Sequence, residues 1–110
     1  ILLSSCSSTH KDTVTVPNGD ADRGRTALKT YGCGTCHTIP GVVDANAVVG
    51  PPLDRWGERI YIAGLMRNTP DNLIHWIQDP QSFEPGTVMP DMGVSEPDAR
   101  DMAAYLYTLR

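Results

Sequence analysis

The chain has 110 residues, enough for one domain, with three cysteines and a net charge of -4. One phenylalanine, four tyrosines and two tryptophans are a thin aromatic supply, so the side chains alone make a modest core. Lysine occurs only at Lys11 and Lys29, and the acidic balance argues against the basic face that nucleic-acid phosphates require and against a strongly cationic docking surface.

In chain order, the apolar Ile1-Leu2-Leu3 and the serines before Cys6 resemble the end of a bacterial signal peptide. Leu3-Ser4-Ser5-Cys6 resembles a lipobox, where a peptidase cuts before a cysteine lipidated on sulfur. The expectation is a signal remnant over residues 1–5, a lipidated Cys6, and a flexible polar tether through residue 18. The protein would then be exported and anchored by lipid on the periplasmic side of a membrane, or on the outer face of the plasma membrane in a Gram-positive host. The alternative is an unmodified thiol at Cys6, a liability in an exported protein. No stretch is long and apolar enough to cross a membrane as a helix.

Asp20 is a suitable N-cap for a first helix, with Ala21, Gly24, Ala27, Leu28 and Tyr31 at helical spacing. Gly24 in mid-helix costs about 1 kcal/mol against alanine, which predicts another helix packed closely over it. Gly32 ends the helix, and Cys33-Gly34-Thr35-Cys36-His37 follows. This is C-x-x-C-H, the attachment signature of a c-type haem. Thiols three apart can each add to a vinyl group of one porphyrin, and the adjacent imidazole is then held under the ring as the proximal iron ligand. A buried porphyrin would add the apolar plate that the thin core lacks. The competing reading is a C-x-x-C thiol–disulfide pair with an incidental histidine. That class needs a strand before the motif and a βαβ pattern, and a helix ending at Gly32 argues against it.

From Thr38 to Leu53 the chain is a loop punctuated by Pro40-Gly41 and Gly50-Pro51-Pro52. Its valines, Val42, Val43, Val48 and Val49, predict that it covers something, with the haem face the obvious surface. Thr69-Pro70-Asp71 opens a second helix, threonine as N-cap and proline at the first position, with Leu73, Trp76 and Ile77 on one face and Pro80 past its end. Glu84 to Pro90 is irregular, as a loop that presents one side chain to an iron must be. Ser95-Glu96-Pro97-Asp98 resembles a capping box opening a third helix, with Met102, Ala103, Leu106 and Leu109 as its apolar stripe.

From about Gly19 to Arg110 this order of features resembles class I cytochromes c, small single-haem proteins with histidine–methionine ligation. The residues that carry the resemblance are Gly19-Asp20 and Gly24, Cys33-x-x-Cys36-His37, Gly50-Pro51-x-Leu53, Asp79-Pro80, Pro85-Gly86-Thr87-x-Met89 and Ala104-Tyr105-Leu106. The stretch from Tyr61 to Tyr107 looks like the cytochrome c domains associated with bacterial haem–copper oxidases. The resemblance implies an all-α cytochrome c fold over residues 19–110, three to five helices around one covalent haem c with long loops. It implies thioethers at Cys33 and Cys36, axial ligands His37 and Met89, a hydrogen bond from the ligand histidine to the Pro51 carbonyl, and contacts from Leu53. Trp76 stands where the mitochondrial relatives have a tyrosine near the methionine sulfur, and its indole can only donate. Arg55, Arg59 and Tyr61 are open choices as partners of the haem propionates.

For the sixth ligand, Met66, Met89, Met92, Met102, His10 and His75 are the donors to weigh. Met102 falls on a helical apolar stripe, His10 in the tether and His75 on a helix beside Trp76. Met89 has the irregular loop and the Pro-Gly-Thr lead-in, with Met92 its main rival. Two axial side chains leave iron no open site, so the function expected is one-electron transfer without enzymatic catalysis. By the resemblance, a quinol–cytochrome c reductase or a dehydrogenase is the donor and a terminal haem–copper oxidase the acceptor, with no small-molecule substrate. The other readings are a haem enzyme or gas sensor with a labile methionine, and a carrier serving a periplasmic dehydrogenase.

Overall fold

The computed structural model of the protein describes residues 13–110, so Cys6, His10 and the lipobox-like stretch lie outside the described residues. Helix α1 spans Ala21–Thr30, and the Asp20 carboxylate accepts the Arg23 amide at its start. After a long loop, β1 (Tyr61–Ile62) and β2 (Met66–Arg67) pair antiparallel in a short hairpin. Helix α2 (Pro70–Gln78), the single-turn α3 (Pro80–Phe83) and α4 (Glu96–Leu106) follow.

The frame is the crossing of α1 with α4. Gly24 makes it possible: a β-carbon there would lie 1.9 Å from the Asp101 carbonyl oxygen, so only a bare α-carbon lets the two backbones meet. Leu28 from α1 and Ala99, Met102, Ala103 and Leu106 from α4 are buried around this contact. The Asp101 carboxylate, itself buried, accepts the Asp20 amide at 2.8 Å and the Arg23 side chain at 3.1 Å. At the other end of α1, the Tyr31 hydroxyl donates to Asp98 at 2.6 Å.

Helix α2 packs Leu73, Ile74 and Ile77 into the same core, with Trp76 only half-buried at the edge of that face. Its Thr69 hydroxyl accepts the Asn72 amide, the N-cap expected of threonine. The segment between the haem-type motif and α2 is tied to the C-terminal end of the fold by a polar chain. The Tyr107 hydroxyl donates to Asn68, whose amide donates to the Arg59 and Trp56 carbonyls.

Some expectations need correcting. The capping box at α4 is half formed: Ser95 accepts the Asp98 amide, but the Asp98 carboxylate is taken by Tyr31 instead of reaching back. Leu109 lies beyond the last turn of α4, although it still packs on the core. Packing starts before Gly19, since Val16 is buried, Val14 rests against the core, and Arg100 donates to the Pro17 carbonyl. The hairpin and α3 were not expected; each is too short for a period to register.

Candidate functional site

The C-x-x-C-H stretch is shaped by the way α1 ends. The Tyr31 amide still bonds Ala27 O, and Cys33–Thr35 then forms a 3-10 turn. The Cys36 and His37 amides both point to the Cys33 carbonyl, at 3.2 and 3.0 Å, and the Thr35 hydroxyl donates to Gly32 O at 2.7 Å. The turn places both thiols on one short arc, half-buried and not joined to each other. Burial pushes the Cys33 thiol up, the reverse of what an activated redox thiol needs. The motif follows a helix, and the described residues contain no parallel sheet, so the βαβ setting of a thiol–disulfide enzyme is missing here.

His37 is clamped. Its Nδ1 lies 2.7 Å from the Pro51 carbonyl oxygen. A carbonyl only accepts, so Nδ1 is the donor of this bond, and in the neutral ring Nε2 carries the lone pair, as in a metal-ligating imidazole with an outer-shell partner. Two backbone bonds hold Pro51 in place for this: Gly50 N to Cys36 O at 2.7 Å and Leu53 N to Thr38 O at 2.8 Å. Gly50 is the floor of the clamp. A β-carbon there would sit 2.5 Å from Cε1 of His37, so any larger residue would push the ring off the Pro51 carbonyl. The intervening loop is closed by Ile39 N to Ala45 O at 3.0 Å and Thr38 Oγ1 to Ala47 O at 2.9 Å, and Tyr105 of α4 donates to Pro40 O at 2.7 Å.

Met89 sits half-buried in the irregular loop after α3, and Met92, three residues on, is exposed. The loop is held by a residue that sequence reasoning missed. The Gln81 side chain on α3 donates to Thr87 O and Met89 O at 2.8 and 2.9 Å and accepts from Gly86 N at 3.1 Å. The signal was weak, a glutamine a few residues before an irregular run. Met102 is fully buried in the α1–α4 core and Met66 lies in the hairpin, which leaves both as packing residues. His75 is exposed, with its ring 6.1 Å from Phe83, and Trp76 flanks the same phenylalanine at 6.4 Å.

Leu53 is half-buried against the core. Arg55 pairs with Glu58 at 3.1 Å, and Tyr61 is exposed on β1. Arg59 lies over the Trp56 ring at 5.3 Å and donates to the Pro52 and Asp54 carbonyls. Trp56 is buried, and its Nε1 has no hydrogen-bond partner in the protein. Among the described residues no group of three His, Cys, Asp or Glu side chains could hold a metal ion. The donor set is therefore two reduced thiols one turn apart, an imidazole with a free and oriented Nε2, and a thioether on a pinned loop. That set fits covalent haem, with Trp56 Nε1 as a spare buried donor.

A family model described as Cytochrome c matches residues 21–110. The chain is 40% identical over 91 residues to cytochrome c oxidase subunit 2 of Alkalihalophilus pseudofirmus, covering 82% of this chain and 26% of that protein. It is 32% identical over 89 residues to the Bacillus subtilis subunit 2, covering 79% and 25%. The chain thus spans about a quarter of the length of these two relatives. It is 31% identical over 102 residues to cytochrome c of Tetrahymena pyriformis, covering 84% of this chain and 92% of that one.

Proposed function

The chain belongs to the cytochrome c family, and from that premise we propose that it carries one electron at a time on a single haem c held by Cys33, Cys36, His37 and Met89. Membership brings a covalent haem c and the work of a haem electron carrier, not of an enzyme. The bound haem supplies a one-electron change at iron between ferrous and ferric.

The observation that carries the reading is the 2.7 Å hydrogen bond from His37 Nδ1 to Pro51 O. It fixes the tautomer and orientation of the imidazole, so that Nε2 is the proposed proximal donor. Cys33 and Cys36, on the same turn, would form the two thioethers. The Met89 thioether, as distal ligand, favours the reduced form relative to a second imidazole. With His37 and Met89 both bound to the iron, the residues would leave no open position for oxygen or peroxide. Leu53 and Trp76 are assigned as packing against the macrocycle.

The likeness to the two oxidase subunit 2 chains supports a terminal haem–copper oxidase as the acceptor. With the lipobox-like residues before it, the domain is assigned to the outer side of a membrane, anchored through Cys6. One experiment tests the core of this reading. Purified protein should retain haem through acid–acetone extraction and titrate as one reversible one-electron couple, and membranes containing the oxidase should reoxidise the reduced form. Haem that extracts, or a ferrous form that is five-coordinate at neutral pH, would overturn it.

A further inference from the structure

We infer that Gln81 is a positioning residue for Met89: its side-chain amide governs how readily the Met89 sulfur leaves the iron, an inference that rests on Met89 being the distal ligand. Helix α3 is only Pro80–Phe83, but it is a firm base. Pro80 is fully buried, and Asp79 caps the turn by accepting the Ser82 amide at 3.2 Å. From that base the Gln81 amide reaches across to the methionine loop and makes three of its four possible hydrogen bonds to backbone. Both Nε2 protons go to carbonyls, of Thr87 at 2.8 Å and Met89 at 2.9 Å, and Oε1 takes the Gly86 amide at 3.1 Å. The assignment of oxygen and nitrogen follows from the partners. Turning the amide over would set its oxygen against two carbonyls and its NH2 against an N–H, and all three bonds would be lost.

The loop has little else to hold its shape. Its own backbone closes through Thr87 N to Glu84 O at 3.0 Å, and Glu84, Pro85, Gly86, Val88 and Pro90 are exposed. Without Gln81 the freed carbonyls and amide can turn to water, so the fold would survive while the loop loosens. Met89 is the residue whose carbonyl is pinned, so its side chain inherits the rigidity. A ligand sulfur on a rigid loop recombines with iron before the loop can swing away, and one on a loose loop is replaced more readily. A role confined to capping α3 would change global stability and leave sulfur departure unaltered.

The test uses the ferric holoprotein with imidazole as the incoming ligand, at concentrations where departure of the sulfur limits the rate. Gln81→Glu keeps an acceptor for Gly86 but presents a carboxylate to two carbonyl oxygens, and should speed imidazole binding by about tenfold or more. Gln81→Met removes all three bonds without adding charge and should speed it several-fold. Both should leave the thermal unfolding midpoint nearly unchanged. Rates within twofold of wild type in both variants, with the sulfur-to-iron charge-transfer band in place, would overturn the inference while leaving Met89 as the ligand. A band that survives Met89→Ala would overturn the ligand assignment and this inference together. Should neither variant fold, hydrogen exchange on the wild-type protein decides. Strong protection of the Gly86 amide supports the inference, and exchange at the rate of an open loop overturns it.

Discussion

Gly24 faces the Asp101 carbonyl so closely that a methyl group at position 24 would lie 1.9 Å from the oxygen. The obstruction is backbone inside a helix, which cannot swing aside as a side chain would. Gly24→Ala should therefore force α1 and α4 apart and cost about 3 kcal/mol or more, the upper end of ordinary overpacking. Denaturant unfolding of the holoprotein, followed by far-ultraviolet circular dichroism, measures it. A loss below about 1 kcal/mol would mean that the crossing is looser than this geometry implies.

Asp101 makes the same crossing depend on pH. Burial pushes its carboxyl up, but the hydrogen bond from Arg23, the Asp20 amide and the Arg23 charge outweigh it, and the net shift is below the ordinary value. A depressed value in the folded state contributes stability that is complete above the unfolded-chain value, about 4, and is lost as pH falls through the folded one. Asp101→Asn can still accept the Asp20 amide but offers Arg23 no charge. The stability difference between wild type and Asp101→Asn should hold steady above about pH 5 and shrink below about pH 4. A difference that stays level through the acid range would show that the charge contributes nothing.

Met89→Ala should abolish the sulfur-to-iron charge-transfer band of the ferric protein and lower the reduction potential. Met92→Leu should leave both nearly as they are, since Met92 lies outside the span that Gln81 holds. The reverse pattern would move the distal ligand to Met92.

Mass spectrometry of the native protein should find residues 1–5 removed and an acylated Cys6. Cys6→Ser should block the modification and leave the haem spectrum intact. Two or more acyl chains give stable anchoring where one is marginal, so the wild type should sediment with membranes. Recovery of soluble wild type with a free Cys6 thiol would make the carrier a diffusing one.

Much of this was legible in residues because its chemistry is local. Thr69-Pro70 and Ser95 mark helix starts through bonds to amides three residues on. Cys33, Cys36 and His37 need only one turn to share an arc. Gly24 announced a close crossing because a helix interior disfavours glycine unless something packs against it. The hairpin, the one-turn α3 and the half-formed capping box were not legible. The first two are too short to leave a period, and the third depends on Tyr31, sixty-seven residues away from Asp98.

By itself, then, the sequence determined the covalent motif, the helix starts and the methionine-bearing loop, since each is written in neighbouring residues. Only the tertiary structure decided which partners those groups meet. It chose the carbonyl that orients His37, the backbone that presses on Gly24, the carboxylate that ties Asp20 and Arg23 to α4, and the amide that pins the Met89 loop. The reason is directional. A hydrogen bond or a backbone contact is settled within a few tenths of an ångström, by elements whose relative placement comes from packing the whole core.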